Sequence, residues 1–72
     1  MKEIDLHGLT HDEAVIKAED FVLLESQNGI FECRIITGNS YKMTTRVIQM
    51  LDKHQFRWYV PSWNTGEIIV SF

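Results

Sequence analysis

The sequence predicts a two-layer α/β sandwich, in which two helices cover one face of a four-stranded mixed sheet. Two segments carry apolar residues at helical spacing, and four others are rich in strand-forming residues. The segments follow one another in the order β-α-β-α-β-β, so two right-handed crossovers make the first two strands parallel and place both helices on the same face. We expect residues 1–72 to form a single stand-alone domain, because 72 residues are too few for two.

The first strand and the first helix are separated by a turn and a capping pattern. Ile4-Asp5-Leu6-His7 alternates apolar and polar residues and ends at Gly8, which predicts a short strand. Thr10 and Glu13 match a capping box, in which each side chain binds the backbone amide of the other residue. Apolar positions continue at helical spacing as far as Asn28-Gly29, which is typical of a helix end.

The second strand and the second helix are separated by another turn. Strand-forming residues run from Phe31 to Thr37 and meet the turn cluster Gly38-Asn39-Ser40. A mainly apolar set then recurs at intervals of three and four residues, which predicts an amphipathic helix with the following buried face: Met43, Val47, Met50, Leu51 and His54.

The last part of the chain predicts a hairpin. Aromatic and β-branched residues run from Phe56 to Trp63 and are interrupted by Pro61. Because proline cannot donate a ladder hydrogen bond, this strand should lie at a sheet edge or carry a bulge. Asn64-Thr65-Gly66 then turns the chain into a final strand, Glu67 to Phe72.

Composition and charge exclude several classes of protein. No apolar run approaches the roughly 20 residues of a membrane helix, and the start of the chain does not resemble a secretion signal. Cys33 has no second cysteine to pair with, so we expect a cytoplasmic protein without a membrane partner. A net charge of −3 argues against a generic nucleic-acid coat. Residues 1–32 carry eight acids and two bases (net −6), whereas residues 33–72 carry five bases and two acids (net +3), which permits a local cationic patch.

The turns after the first two strands predict a phosphate site. Parallel α/β sheets bind ligands beyond the carboxyl ends of their strands, where helix N-termini present amides and partial positive charge. If the two strands are neighbours, their turns lie side by side. The predicted phosphate ligands belong to these turns and to the start of the second helix: Gly8, Thr37, Gly38, Asn39, Ser40, Tyr41, Lys42 and Arg46. The alternative roles are turn geometry for the two glycines and helix capping for Ser40.

Asp5 and His7 form the predicted catalytic pair. Successive strand side chains point to opposite faces, so Asp5 and His7 share one face of the sheet. The apolar Ile4 and Leu6 share the other face, which we expect to be buried against the helices. A carboxylate beside an imidazole favours the charged ring and fixes its orientation, which suits a general acid or base near neutral pH. The alternative is an exposed pair without a function, because a D-x-H pattern is short.

Several of these residues resemble the motifs of a known family. Asp5-Leu6-His7-Gly8-Leu9-Thr10, followed by Glu13-Ala14, resembles the opening motif of the Smr (small MutS-related) domain family. Ile36-Thr37-Gly38-Asn39 resembles the Thr-Gly-x-Gly element of that family, and Gly66 with Ile68-Ile69-Val70 resembles its closing strand. Met43, Val47 and Leu51 match its second-helix apolar positions, so the resemblance spans nearly the whole chain.

The resemblance implies a fold similar to the C-terminal domain of translation initiation factor 3, together with nucleic-acid binding. Members of the family include nicking endonucleases on DNA and endoribonucleases, some of which act on messenger RNA at stalled or collided ribosomes. By motif position, the active residues are Asp5 and His7, and Gly38 lies in the phosphate-facing loop. Ser40 stands where the family has a second glycine.

The predicted function is that of a nucleic-acid-binding domain which acts as a metal-independent endonuclease, with RNA favoured over DNA because the 2′-hydroxyl of RNA supplies a nucleophile. No cofactor or resident metal is expected, although a weak magnesium site at Asp5 stays open. Two alternatives remain: a non-catalytic module that binds nucleic acid or the ribosome, favoured by Ser40, and a protein-interaction module using the acidic face of the first helix. The domain is expected to be a monomer or a weak homodimer.

Four aromatic residues are candidates for stacking on unpaired bases: Tyr41, Trp58, Tyr59 and Trp63. Core packing is the alternative role for at least half of them. Strand alternation places Trp58 on one face of the sheet and Tyr59 with Trp63 on the other. Tyr41 lies in the predicted phosphate turn, so it is the first choice for a ligand contact.

Overall fold

Six elements follow one another in the predicted order in the computed structural model, which describes residues 1–30 and 32–72. They are β1 (Lys2–Asp5), α1 (His11–Gln27), β2 (Glu32–Ile36), α2 (Tyr41–Lys53), β3 (Arg57–Tyr59) and β4 (Glu67–Ser71). Phe31, the predicted start of the second strand, lies outside the described residues. β3 is shorter than predicted and ends before the buried Pro61, which cannot continue the ladder.

The four strands form one mixed sheet in the order β1-β2-β4-β3. β1 and β2 are parallel, whereas β4 runs antiparallel to both of its neighbours. The predictions of a parallel first pair, a closing hairpin and an edge position for the proline-limited strand are confirmed. In this register Asp5 pairs with Ile36, and Ile36 pairs with Glu67. The carboxyl ends of β1 and β2 and the start of β4 therefore lie side by side, at the same end of the strands.

The start of α1 is fixed by the predicted capping box. The Thr10 hydroxyl accepts a hydrogen bond from the Glu13 amide at 3.2 Å, and the Glu13 carboxylate accepts one from the Thr10 amide at 3.1 Å. Both bonds satisfy donors that the first helical turn leaves without partners. The helix ends at Asn28, which is followed by Gly29, as the sequence predicts.

The core lies between the helices and one face of the sheet. Alternate strand residues and one face of each helix meet there, because both layers must bury their apolar sides. Its members are Leu6, Ala14, Ala18, Val22, Cys33, Ile35, Met43, Val47, Met50, Leu51, Ile68 and Val70. Burial raises the pKa of the Cys33 thiol to about 11, so this group stays neutral and packs as a small apolar residue. In the ranges that the structure describes, neither helix combines the length and the apolar composition required to cross a bilayer.

The folded state is expected to lose stability as the pH falls below about 4.5. A hydrogen bond from the Thr10 side chain lowers the pKa of Glu13 below its ordinary value of 4.5, and a hydrogen bond to His54 does the same for Glu19. A carboxyl whose pKa is lower in the folded chain stabilises the fold above the unfolded pKa, and this contribution is lost as the pH falls through the folded-state value.

Urea denaturation between pH 3 and pH 6 measures this loss. The double variant Glu13→Gln/Glu19→Gln should show a shallower dependence of the free energy of unfolding on pH than the wild type. Asp20→Asn, on an exposed acid of the same helix, should leave the dependence unchanged. An equal slope in the wild type and the double variant would contradict the assignment.

Candidate active site

The turns that follow β1 and β2 lie against each other. The Leu6 amide donates to the Ile36 carbonyl at 2.9 Å, which extends the strand pairing to the end of β1. Beyond it, the point where a Cβ atom would stand on Gly38 lies 3.9 Å from Nδ1 of His7. The two predicted loops are thus neighbours, and the His7 imidazole is beside the loop predicted to face a phosphate.

Asp5 and His7 are both exposed, whereas Leu6 between them is fully buried. β1 ends at Asp5, so His7 lies in the turn and not in the strand as predicted, although the alternation of exposed and buried side chains continues from Asp5 to His7. The Asp5 carboxylate accepts a hydrogen bond from the backbone amide of His7 at 2.9 Å. The same turn is closed by the Leu9 amide, which donates to the Leu6 carbonyl at 3.2 Å, with Gly8 at a φ of +84°.

The Asp5 bond thus fixes the loop backbone rather than the imidazole. We expected the carboxylate to orient the ring directly, but the hydrogen bond between the two residues ends at the amide. Among the described residues, the ring nitrogens of His7 have no hydrogen-bond partner. The backbone that carries the ring is fixed by this bond, and the exposed ring itself remains open to a ligand.

A third loop, between β3 and β4, supports the loop after β2. The Gly66 carbonyl accepts hydrogen bonds from the amides of Thr37 at 2.8 Å and Gly38 at 3.0 Å. A Cβ atom on Gly66 would stand 3.2 Å from the Gly38 carbonyl oxygen, so only glycine allows this approach without a shift of one backbone. Sequence reasoning placed Gly66 in a hairpin turn but did not connect it with the site.

A chain of hydroxyl groups fastens the two loops underneath the site. Thr44 lies 3.0 Å from the Thr37 hydroxyl and 2.9 Å from the Ser40 carbonyl, so its single proton has two alternative acceptors. The Thr37 hydroxyl lies 3.2 Å from the Gly66 carbonyl. Thr37 is buried, so it supports the loop and does not face a ligand. Thr44 was missed by the sequence reasoning, although its position one turn after Ser40 was a signal.

The N-terminus of α2 has the features of an anion-binding site. The Ser40 hydroxyl accepts the Met43 amide at 3.1 Å, and the Ser40 carbonyl accepts the Thr44 amide at 3.0 Å. These caps leave the amides of Tyr41 and Lys42 without a partner within the described ranges. The first turn of α2 holds no acidic residue. Helix α1 differs, because Asp12 and Glu13 already occupy its first turn.

A pocket of about 310 Å³ opens at this helix end. It is lined by residues from the β2–α2 loop, from α2 and from the β3–β4 loop: Gly38, Asn39, Ser40, Tyr41, Thr44 and Thr65. Four of the predicted phosphate ligands, at positions 38–41, therefore meet at one concave surface. Thr44 and Thr65 are additions that the sequence did not indicate.

The cations of the C-terminal half do not gather into one broad patch. Arg46 pairs with Asp12 at 2.7 Å and lines a separate groove between the helices, away from the pocket. Arg34 lies on the uncovered face of the sheet, where its guanidinium is 3.5 Å from Glu3 and 3.4 Å from Glu67. The latter contact is an ion pair without hydrogen-bond geometry. Lys42, exposed in the first turn of α2, is the predicted cation that remains beside the pocket.

No three histidine, cysteine or acidic side chains of residues 1–30 and 32–72 are grouped closely enough to hold a metal ion. The two polar groups at the end of β1 are an acid and an imidazole, and the acid is engaged with a backbone amide. The arrangement offers an exposed imidazole beside the loop that leads to the unpaired amides at the start of α2. This combination suits proton transfer beside a bound phosphate.

Comparisons with known proteins show the family and the fold of this chain. The family model described as the Smr domain matches residues 4–67. No curated protein matches the chain. The crystal structure of the Smr domain of Thermus thermophilus MutS2 superposes with a TM-score of 0.83, at 22% sequence identity, over 99% of this chain and 96% of that one. At this identity the likeness shows the fold alone. Because the family model covers most of its length, the chain belongs to the Smr domain family, whose members are nucleic-acid-associated, nuclease-like domains.

Proposed function

We propose that this Smr domain is an endonuclease that cleaves RNA by proton transfer at His7. The observation that carries the proposal is the position of the His7 imidazole, exposed and adjacent to Gly38 at the loop that opens α2. A base then lies beside the loop that leads into the proposed anion-binding helix end. Phosphodiester cleavage needs both, because a proton must leave the attacking hydroxyl while charge develops on the phosphate.

The phosphate is held by the start of α2. Its oxygens accept hydrogen bonds from the unpaired amides of Tyr41 and Lys42, and the Lys42 side chain adds a positive charge. The positive end of the helix dipole supports the same charge. The Gly38 carbonyl is turned towards Gly66, and this approach holds the loop in one conformation.

His7 acts as the general base. It takes the proton of the 2′-hydroxyl, whose oxygen attacks the adjacent phosphorus, and the bond from phosphorus to the 5′-oxygen breaks. Water protonates the leaving 5′-oxygen, so the products are a 2′,3′-cyclic phosphate and a 5′-hydroxyl. The nucleophile belongs to the substrate, which makes RNA the substrate this chemistry favours over DNA. Asp5 is a positioning residue, since it holds the amide of His7 and not the ring.

Incubation of the protein with end-labelled single-stranded RNA in the presence of a chelator tests the proposal. Cleavage is expected, with a cyclic phosphate on the upstream product. The same strand with a single 2′-deoxy nucleotide at the main cleavage site should resist cleavage there and remain sensitive elsewhere. Cleavage of the deoxy position at an unchanged rate, or intact RNA after prolonged incubation, would overturn the proposed chemistry.

A non-catalytic nucleic-acid-binding module is the second candidate function. The specific observation in its favour is the Asp5 hydrogen bond, which ends at the His7 amide and leaves the imidazole without an acidic partner among the described residues. Such a ring binds a phosphate but gains no orientation from a carboxylate. Under this alternative the protein binds RNA with an affinity that falls as salt rises, and the RNA stays intact in the assay above.

The variant Ser40→Asp is expected to weaken RNA binding about tenfold at low salt, because a carboxylate next to the pocket repels phosphate. Aspartate and serine are comparable N-cap residues, so the stability of the fold should change little. Ser40→Asn is the matched control, since asparagine has the same shape as aspartate without the charge and also caps well.

Fluorescence anisotropy with labelled single-stranded RNA at several salt concentrations measures the affinity, and urea denaturation measures the stability. The difference between the two variants should shrink as salt rises, because mobile ions screen the added charge. Equal affinities of the aspartate and asparagine variants at low salt would place the phosphate away from the start of α2.

A further inference from the structure

Two large aromatic side chains are exposed without a packing role that accounts for them. Tyr41 is 85% exposed and Trp63 is 77% exposed. Neither ring belongs to an aromatic pair within the described ranges, where Phe56 pairs with His54 and Phe72. Ligand pockets are commonly lined by aromatic side chains, and Tyr41 lines the pocket at the start of α2.

The other two aromatic candidates of the sequence lie in β3 and are more covered. Trp58 packs against the core, and its indole nitrogen donates to Asp52 at 2.8 Å. Tyr59 lies on the uncovered sheet face directly opposite the buried Ile69. Core packing thus accounts for Trp58, and Tyr59 is 47% exposed on the sheet, which leaves Tyr41 and Trp63 as the two most exposed rings of the four.

The fold places Tyr41 and Trp63 at the same end of the strands, where β2 finishes and β4 starts. Tyr41 is the first residue of α2 and lines the pocket together with Thr65 of the β3–β4 loop. Trp63 precedes Thr65 by two residues in that loop. The loop is ordered by a hydrogen bond from the Asn64 amide to the Pro61 carbonyl at 3.2 Å, and Pro61 is buried. Trp63 is therefore presented by an anchored turn at the end of the sheet where the phosphate is proposed to bind.

We propose that Tyr41 and Trp63 are stacking platforms for unpaired bases next to the bound phosphate, which makes single-stranded nucleic acid the ligand of this site. This inference rests on the proposed phosphate site at the start of α2. In a duplex the bases are stacked on each other and offer no free face, whereas the bases of a single strand can leave the stack and cover an aromatic ring. A stacking face accepts any base, so little sequence selectivity follows from it.

The test compares Tyr41→Ala and Trp63→Ala with Tyr41→Phe and Trp63→Phe, in the His7→Ala background so that the strands stay intact. Anisotropy is measured with labelled twelve-nucleotide single-stranded RNA, single-stranded DNA of the same sequence, the RNA duplex, and a strand that carries abasic sites. Each alanine variant should bind single-stranded RNA and DNA about tenfold more weakly, since stacking is lost, and each phenylalanine variant should bind close to the background affinity. Affinities for the duplex and the abasic strand should stay within about twofold.

Equal losses of affinity for the duplex and the single strand, or phenylalanine variants that bind as weakly as the alanine variants, would contradict the proposal that Tyr41 and Trp63 are stacking platforms. The outcome is separable from that of the proposed function. RNA that is bound in an aromatic-dependent way but never cleaved by the wild type contradicts the nuclease and supports the platforms. Cleavage that depends on His7, together with unchanged affinity of the alanine variants, contradicts the platforms alone. Absence of binding to every strand contradicts both.

Discussion

The variant His7→Ala is expected to lower the rate of RNA cleavage by at least about a hundredfold, because a positioned general base typically contributes about 10²- to 10⁴-fold to the rate. The His7 side chain is exposed and is not part of the core, so its removal leaves the packing intact. The affinity for RNA should change little, since the phosphate is held by the start of α2. Single-turnover cleavage of labelled RNA in chelator gives the rate, and anisotropy gives the affinity.

His11→Ala is the matched control for this prediction. His11 begins α1, four residues after His7, and its replacement removes the same side chain close to the site. We expect this variant to cleave RNA within about twofold of the wild-type rate, because the ring is not needed for proton transfer. Equal losses of cleavage rate in the two histidine variants, or a wild-type rate in His7→Ala, would show that His7 has no specific role in the reaction.

Asp5→Asn separates the two ways in which Asp5 can support His7. Asparagine keeps an oxygen that accepts the His7 amide but loses the negative charge. If Asp5 acts through the backbone, as the 2.9 Å hydrogen bond indicates, the asparagine variant keeps most of the rate and Asp5→Ala loses more. A loss in Asp5→Asn as large as that in Asp5→Ala would instead assign Asp5 an electrostatic role on the ring.

The sequence predicted the elements and the topology because the signals for them are local. The capping box of Thr10 and Glu13, the helix stop at Asn28-Gly29 and the proline that limits β3 each act within a few residues of their own position. The adjacency of the two loops was predicted on the condition that β1 and β2 are neighbours, and the strand order meets this condition.

The parts of the site that the sequence did not predict depend on contacts between distant segments. Arg46 was a predicted phosphate ligand, yet Asp12 on the other helix holds its guanidinium. Thr44 and Gly66 enter the site through bonds to Thr37 that join different loops. Whether the Asp5 carboxylate binds the ring or the amide of His7 depends on the geometry of the turn. A pattern of residue types does not specify that geometry.

The variant Leu6→Ala is expected to lower the free energy of unfolding by about 2–5 kcal/mol, because it removes a fully buried side chain and leaves a cavity. Leu6 follows β1, which is an edge strand of the sheet, and its side chain fixes this segment to the core. Small domains have thin cores, and their total stability is commonly no more than about 5–15 kcal/mol. The loss is therefore a large share of what keeps the domain folded.

Leu24→Ala removes the same atoms from a side chain that is 55% exposed on α1, so it should cost less than about 1 kcal/mol, since alanine also favours the helix. Urea denaturation of the two variants gives the comparison, and similar costs would show that Leu6 does not anchor this segment. The two residues next to Leu6 are Asp5 and His7, so the same anchor holds the loop that we propose to be catalytic. Cleavage by Leu6→Ala should fall in proportion to the unfolded fraction and recover when the variant is assayed in a stabilising osmolyte. His7→Ala, which stays folded, should gain nothing from the osmolyte, and this difference separates a residue that supports the site from one that performs its chemistry.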